Sequence, residues 1–154
     1  MNQLTELRHA LSDQLKTIQV NGRYNTSAGN NVLTGWYNEL IDDRSATFPL
    51  IVVQRGKNGP PELAHGELVL NIGYYIVGAV DAGLDDYDEA LDALESDLWK
   101  ALHLRGMRKA PWAPAGVASM VFGEPQHVAP GDGTKVASIL IPVNFKVIIQ
   151  NDQT

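Results

Sequence analysis

The sequence predicts a domain that combines amphipathic helices with unusually long strands, and three stretches carry that expectation. Leu68, Leu70, Ile72, Tyr74, Ile76, Gly78 and Val80 occupy every second position, the period of a strand with one apolar or tolerant face. Directly afterwards Tyr87, Leu91, Leu94, Leu98 and Leu102 recur at steps of three and four, which draws one helical stripe. Near the C-terminus Ala137, Ile139, Ile141, Val143, Phe145, Val147 and Ile149 repeat the strand period without interruption. None of these side chains is an obvious catalyst, so the unit reads as scaffolding that packs and touches neighbours.

The elements follow in order. Leu4, Leu7, Leu11, Leu15 and Ile18 predict an N-terminal helix over about 2–19, with Arg8, Asp13 and Lys16 on its wet side and Asn21-Gly22 as its stop. From there to Gly35 the chain is rich in Asn, Gly, Ser and Thr and has no sustained period. Residues 32–40 fit a short strand or a turn of helix equally well. Phe48-Pro49-Leu50-Ile51-Val52-Val53-Gln54 predicts a buried strand, with Pro49 near its start, where a missing N–H costs least. Lys57-Asn58-Gly59-Pro60-Pro61 predicts a turn or loop tip, so the central strands span about 48–80.

A second helix is expected over about 85–104, capped by Asp85 or Asp86 and closed by Gly106. Arg105, Arg108 and Lys109 fall where the helix dipole favours cations. C-terminal strands are expected over about 117–150, interrupted by a loop from 123 to 135. The second face of the last strand (Ser138, Pro142, Asn144, Lys146, Gln150) reads as wet, and Pro142 marks an edge, bulge or bend. Each long strand covers about fourteen residues, or roughly 45 Å, against a radius of gyration near ~15 Å for a domain of this size. Such strands bend or project, and a projecting edge invites pairing with another chain.

The 154 residues fit a single domain, 1–154, with enough apolar content (44%) for a packed core. A net charge of −6 repels phosphate backbones, so nucleic acid, sequence-specific binding included, is a poor partner for the surface as a whole, with a local basic patch left open. The absence of cysteine removes disulfides, thiol nucleophiles and thiolate metal sites. The start of the chain lacks the basic and apolar runs of a signal peptide, and no apolar run approaches the ~20 residues needed to span a bilayer.

The acids Asp81, Asp85, Asp86, Asp88 and Glu89 lack calcium-loop spacing and read as helix capping. His9, His65, His103 and His127 show no zinc-site separation, and no Gly-x-Ser-x-Gly elbow or phosphate loop is present. No catalytic residue, metal site or cofactor is therefore predicted. The candidate protein-contact residues are Arg55, Lys57, Asp92, Glu95, Asp97, Arg105, Arg108, Lys109 and Trp112. Among them, the helical acids Asp92, Glu95 and Asp97 of one copy suit the basic helix end of another, which is the head-to-tail logic of a ring.

The order of these elements is similar to that of small tail proteins of long-tailed bacteriophages. The resemblance is carried by Phe48-Pro49-Leu50-Ile51-Val52-Val53, the strand over 68–80, Asp86-Tyr87-Asp88-Glu89-Ala90-Leu91-Asp92-Ala93-Leu94, and the closing strand over 139–149. The chain resembles most the tail terminator (tail completion) proteins, and next the head–tail joining proteins of the neck. That resemblance implies an α+β fold: a mainly antiparallel twisted sheet of about four long strands, two helices on one face, and long loops or a projecting hairpin. It also implies a non-enzymatic virion protein of tail or neck, assembled in the host cytoplasm. Its partners would be itself, as a hexameric ring, the tail tube protein and the head connector, with no membrane. The negative charge is compatible with a lumen through which DNA passes. Two other readings stay open: a small cytosolic ligand-binding or enzymatic domain with its pocket under residues 109–116, and an adaptor that binds one host protein.

Overall fold

The period-2 segments become the two central strands of the sheet in the computed structural model, which describes residues 2–41, 46–83, 86–104, 106–131 and 135–150. In chain order the elements are α1 (Gln3–Leu15), a 3-10 turn (Ala28–Asn31), β1 (Val32–Thr34), α2 (Tyr37–Ile41), β2 (Leu50–Arg55), β3 (Gly59–Ala64), β4 (Glu67–Asp81), α3 (Tyr87–Leu102), β5 (Val117–Phe122), β6 (Gln126–Val128) and β7 (Val136–Ile148). The class is α+β. β4 and β7 pair antiparallel from Val69↔Ile148 to Asp81↔Val136.

Among the described residues there are seven strands and three helices, where the sequence predicts about four and two. The difference has a simple origin, because each flank of the central pair is broken into two short strands. β2 and β3 lie end to end along one edge of β4, opposite residues 74–79 and 67–71 respectively. β5 and β6 share the outer edge of β7 in the same way. β1 adds the one parallel pairing, to β2. At the first break the Gly56 N–H donates to the Gly73 carbonyl at 2.9 Å, and a Cβ on Gly73 would overlap the Lys57 carbonyl. Glycine is required there because two backbones cross at contact distance.

Alternation sorts the strand residues onto two faces. Ile51, Val53, Ile72, Ile76, Ile141, Val143 and Phe145 pack with Leu7, Leu11 and Leu15 of α1 and Leu91, Leu94, Leu98 and Leu102 of α3. Gly78 lets α3 approach, since a Cβ there would stand 2.9 Å from Leu94 Cδ2. The other face buries Leu50, Val52, Val77 and Ala79 beneath Tyr37 and Leu40 of α2 and Phe48. Two helices do share one face, and a short third covers part of the back. Ser138, expected to be wet, is accordingly only 2% exposed and hydrogen-bonds Tyr37, whose hydroxyl pKa is raised by burial against the opposing pull of that bond.

Helix ends differ from expectation for local reasons. Asn2 caps α1 by accepting the Thr5 N–H at 2.9 Å. The helix stops at Leu15 rather than near 19, because the Thr17 hydroxyl takes the Gln14 carbonyl at 2.6 Å, and Ile18 reaches the core from a turn. α3 runs over Tyr87–Leu102, inside the 85–104 expected. Asp86 occupies its N-cap position without a capping side-chain hydrogen bond, and Asp85 lies outside the described residues. Residues 32–40 contain both alternatives, β1 followed by the start of α2.

The largest correction concerns Asp97, expected on an exposed acidic face. It is 0% exposed. Its carboxylate accepts the Asn25 N–H at 2.8 Å, the Thr26 N–H at 2.7 Å and the Thr26 hydroxyl at 2.7 Å. Position 97 is three after Leu94 and four before Ala101, so helical geometry puts it on the buried stripe whatever its charge. Removing the carboxylate strands two backbone donors and a hydroxyl. Asp97→Ala is therefore expected to lose roughly 3 kcal/mol of stability, measured as a lower urea midpoint with an unchanged slope.

Candidate functional site

The eight candidate contact residues that the structure describes do not gather into one patch. Arg55 ends β2, donates to the Asn58 carbonyl oxygen of its side chain at 3.3 Å, and lays its guanidinium 5.3 Å from the ring centre of buried Tyr74. Lys57 is exposed at the break between β2 and β3. Asp92 is exposed on α3, Glu95 is half-buried, Asp97 is buried, and Arg105 lies outside the described residues. Arg108 and Lys109 are exposed, while Trp112 stands edge-on to Phe145 over the core at 6.2 Å.

Glu95 is not a free acid either. Its carboxylate accepts the Trp99 indole N–H at 3.1 Å and contacts the His127 Nε2 at 2.7 Å. It thereby latches β6 onto α3, beside the edge-to-face pair of Trp99 and Phe122. Partial burial pushes the Glu95 pKa up, but the bonds from Trp99 and His127, with the charge of His127, together pull it below the ordinary carboxylate value.

Two surfaces are assembled by the fold, one a hairpin and one a groove bordered by the 109–116 segment, with residues that the sequence reading did not single out. The first is the β3–β4 hairpin. His65 and Gly66 both take positive φ (51° and 78°), the turn geometry that suits a tight two-residue hairpin. Leu63 and Leu68 face each other across it, 83% and 41% exposed, as an apolar pair at the tip left open among the described residues. The hairpin stem is anchored by Glu62 to Lys146 at 3.0 Å and by Asn71 to the Pro60 carbonyl at 2.7 Å. The hydrogen bond from Lys146, then that from Asn71 and the Lys146 charge, hold the Glu62 carboxyl below its ordinary value. The Pro60-Pro61 pair had marked this segment as loop; it is a strand with a register shift between Gly59 and Glu62 that accommodates the prolines.

The second surface lies at the C-terminal end of α3. Arg23, Lys100 and His103 line an open groove of about 470 Å³ together with Tyr24, Pro111 and Trp112. An adjoining open groove of about 670 Å³ adds Asp92, Glu95 and Trp99. The Arg23 guanidinium lies 5.9 Å from the Tyr24 ring centre, and the Lys100 ammonium donates to the Arg23 carbonyl at 3.3 Å. Arg23 sits in a segment without period, which concealed its approach to a helix end more than seventy residues away.

The sheet edges are less open to strand addition than the long strands implied. Pro60 and Pro61 have no N–H to offer, β1 is three residues long, and the Met120 N–H of β5 already donates to the Arg108 carbonyl at 3.1 Å. Among the described residues no group of three or more His, Asp or Glu stands close enough to hold a metal ion. No described helix is long and apolar enough to cross a membrane.

No family model matches the chain, and no curated protein matches its sequence. In structure it is similar to a chain of the virion of a native gene transfer agent particle, with a TM-score of 0.57 and 11% identity. That likeness covers 92% of this chain and 97% of the other, so the two share one fold almost end to end.

The Glu95 latch has a pH consequence. A carboxyl whose folded pKa is depressed contributes stability that is present above its unfolded pKa and lost as pH falls through the folded value. Glu95→Gln is therefore expected to flatten the acid limb of the stability curve relative to the unmodified chain. At neutral pH it should speed amide exchange at residues 126–128, read by hydrogen–deuterium exchange; unchanged exchange there would rule out the latch.

Proposed function

We propose that this chain is a structural virion protein that works as a ring of copies at the end of a phage-like tail, the role of a tail terminator. The observation that carries the reading is the shared fold with a virion chain over nearly the full length of both proteins. The order of elements in the sequence supports the finer assignment. So do the exposed features: an apolar hairpin tip and a charged groove, both suited to protein surfaces, and grooves open to solvent.

In this role the protein is non-enzymatic and its partners are other copies of itself, in a hexamer, the tail tube, and the head connector. The ring would stop tube growth and present the head-attachment surface, with DNA passing through its centre. A head–tail joining role would use the same ring but would bind the connector without arresting tube polymerisation.

Electron microscopy and native mass measurement test the assembly directly. The purified chain is expected to form closed rings alone or on contact with tail tubes, and a monomer under both conditions would exclude the proposal. The hairpin tip offers a separate check. Leu63→Ser with Leu68→Ser should change unfolding stability by less than about 0.5 kcal/mol, because both sites are exposed, while clearly weakening capture by tubes or neighbouring copies.

A further inference from the structure

We infer that copies of this chain meet head to tail through α3, the acidic first turn of one copy seated in the basic groove at the far end of α3 in the next. The inference rests on the ring reading and names its contact.

The helix is electrically bipolar. Asp86, Asp88 and Glu89 are exposed at its start, and Asp81 is exposed just before it. Lys100 is exposed in the last turn, with Arg23 beside it and Arg108 and Lys109 beyond. Among the described residues none of these acids forms a salt bridge, and neither Arg23 nor Lys100 pairs with a carboxylate. The helix dipole accounts for acids at the first turn. It does not account for the groove at the other end, where Arg23 and Lys100 stand with Tyr24 and Trp112, although the same two cations also border a groove that holds Asp92 and Glu95.

The two ends cannot satisfy each other within one copy. Sixteen residues of helix separate them by roughly 24 Å, well over the ~8–10 Å screening length of a physiological salt solution. Contact between copies brings them together. Tyr24 and Trp112 wall the groove, so a carboxylate entering it meets cations in partly desolvated surroundings, where charge pairs are stronger than on an open surface. Every copy presents the same two surfaces, the acidic start of α3 and the groove that Arg23 and Lys100 form at its other end, so every copy is offset from the last by the same rotation. A heterologous contact of this kind gives a ring where the repeated rotation adds up to a full turn. The adjoining groove carries Asp92 and Glu95, so the incoming acids are received on the Tyr24 and Trp112 side, which those two carboxylates do not line.

A charge swap in the full chain tests this. Arg23→Glu with Lys100→Glu makes one variant, and Asp88→Lys with Glu89→Lys makes the other; all four sites are exposed, and circular dichroism confirms the fold. Each variant alone is expected to need at least roughly tenfold more protein to assemble, by sedimentation or light scattering at moderate salt. Mixing the two, or combining all four substitutions in one chain, should restore assembly, because every contact then regains opposite charges. Variants that assemble like the unmodified ring overturn the inference, and so does a failure of both rescues. A basic-end variant that assembles normally but loses affinity for duplex DNA overturns it in favour of nucleic acid. If the unmodified chain never oligomerises, the ring reading itself has fallen; if it does and only the swaps have no effect, this contact alone has.

Discussion

The buried carboxylate of Asp97 is the constraint on which the candidate surface depends. Two backbone amides and a hydroxyl from Asn25 and Thr26 converge on it. Those bonds dock an otherwise periodless segment against α3. Once docked, Tyr24 and Ala28 join the main core, and Gly29 passes so close to the Lys16 and Ile18 carbonyls that no Cβ would fit. Arg23 is carried to the side of Lys100 as a result. A buried polar side chain is met by donors on every side the chain can supply, and the same docking brings Arg23 to Lys100 on the outside of the helix.

Around this anchor the sheet divides its labour by column. The central pair, β4 and β7, supplies continuous register and most of the apolar surface. The outer columns are broken, and each break frees a short strand to serve the surface: β3 forms the hairpin, and β6 is tied to α3 through His127 and Glu95. The burial of both sheet faces explains why β2 reads as an unbroken apolar run and not as an alternation.

Much of this fold was legible in the residues. Periods of two and of three to four located β4, β7, α1 and α3, because one-sided burial imprints a repeat that composition cannot hide. The rest failed for identifiable reasons. β3 was lost to its prolines, which on an edge strand remove a donor that nothing needs. α2 and β1 were too short to show a period. Asp97 was assigned to solvent by its charge although its spacing from Leu94 and Ala101 placed it inside. In the candidate site, Asp92, Arg108 and Lys109 were recognised as exposed charges. Arg23 was invisible, since its position depends on a long-range hydrogen bond that no local pattern records.

The prolines of the hairpin have one more consequence. A flat outer strand with a full row of amide donors would let colliding molecules stack without limit, the route to fibres. At Pro60 and Pro61 that row is interrupted, while the leucines at the tip remain available to a shaped partner. Unlimited stacking through this stretch of β3 is thus closed off by two imino acids, at no cost to the pairing that β3 makes with β4.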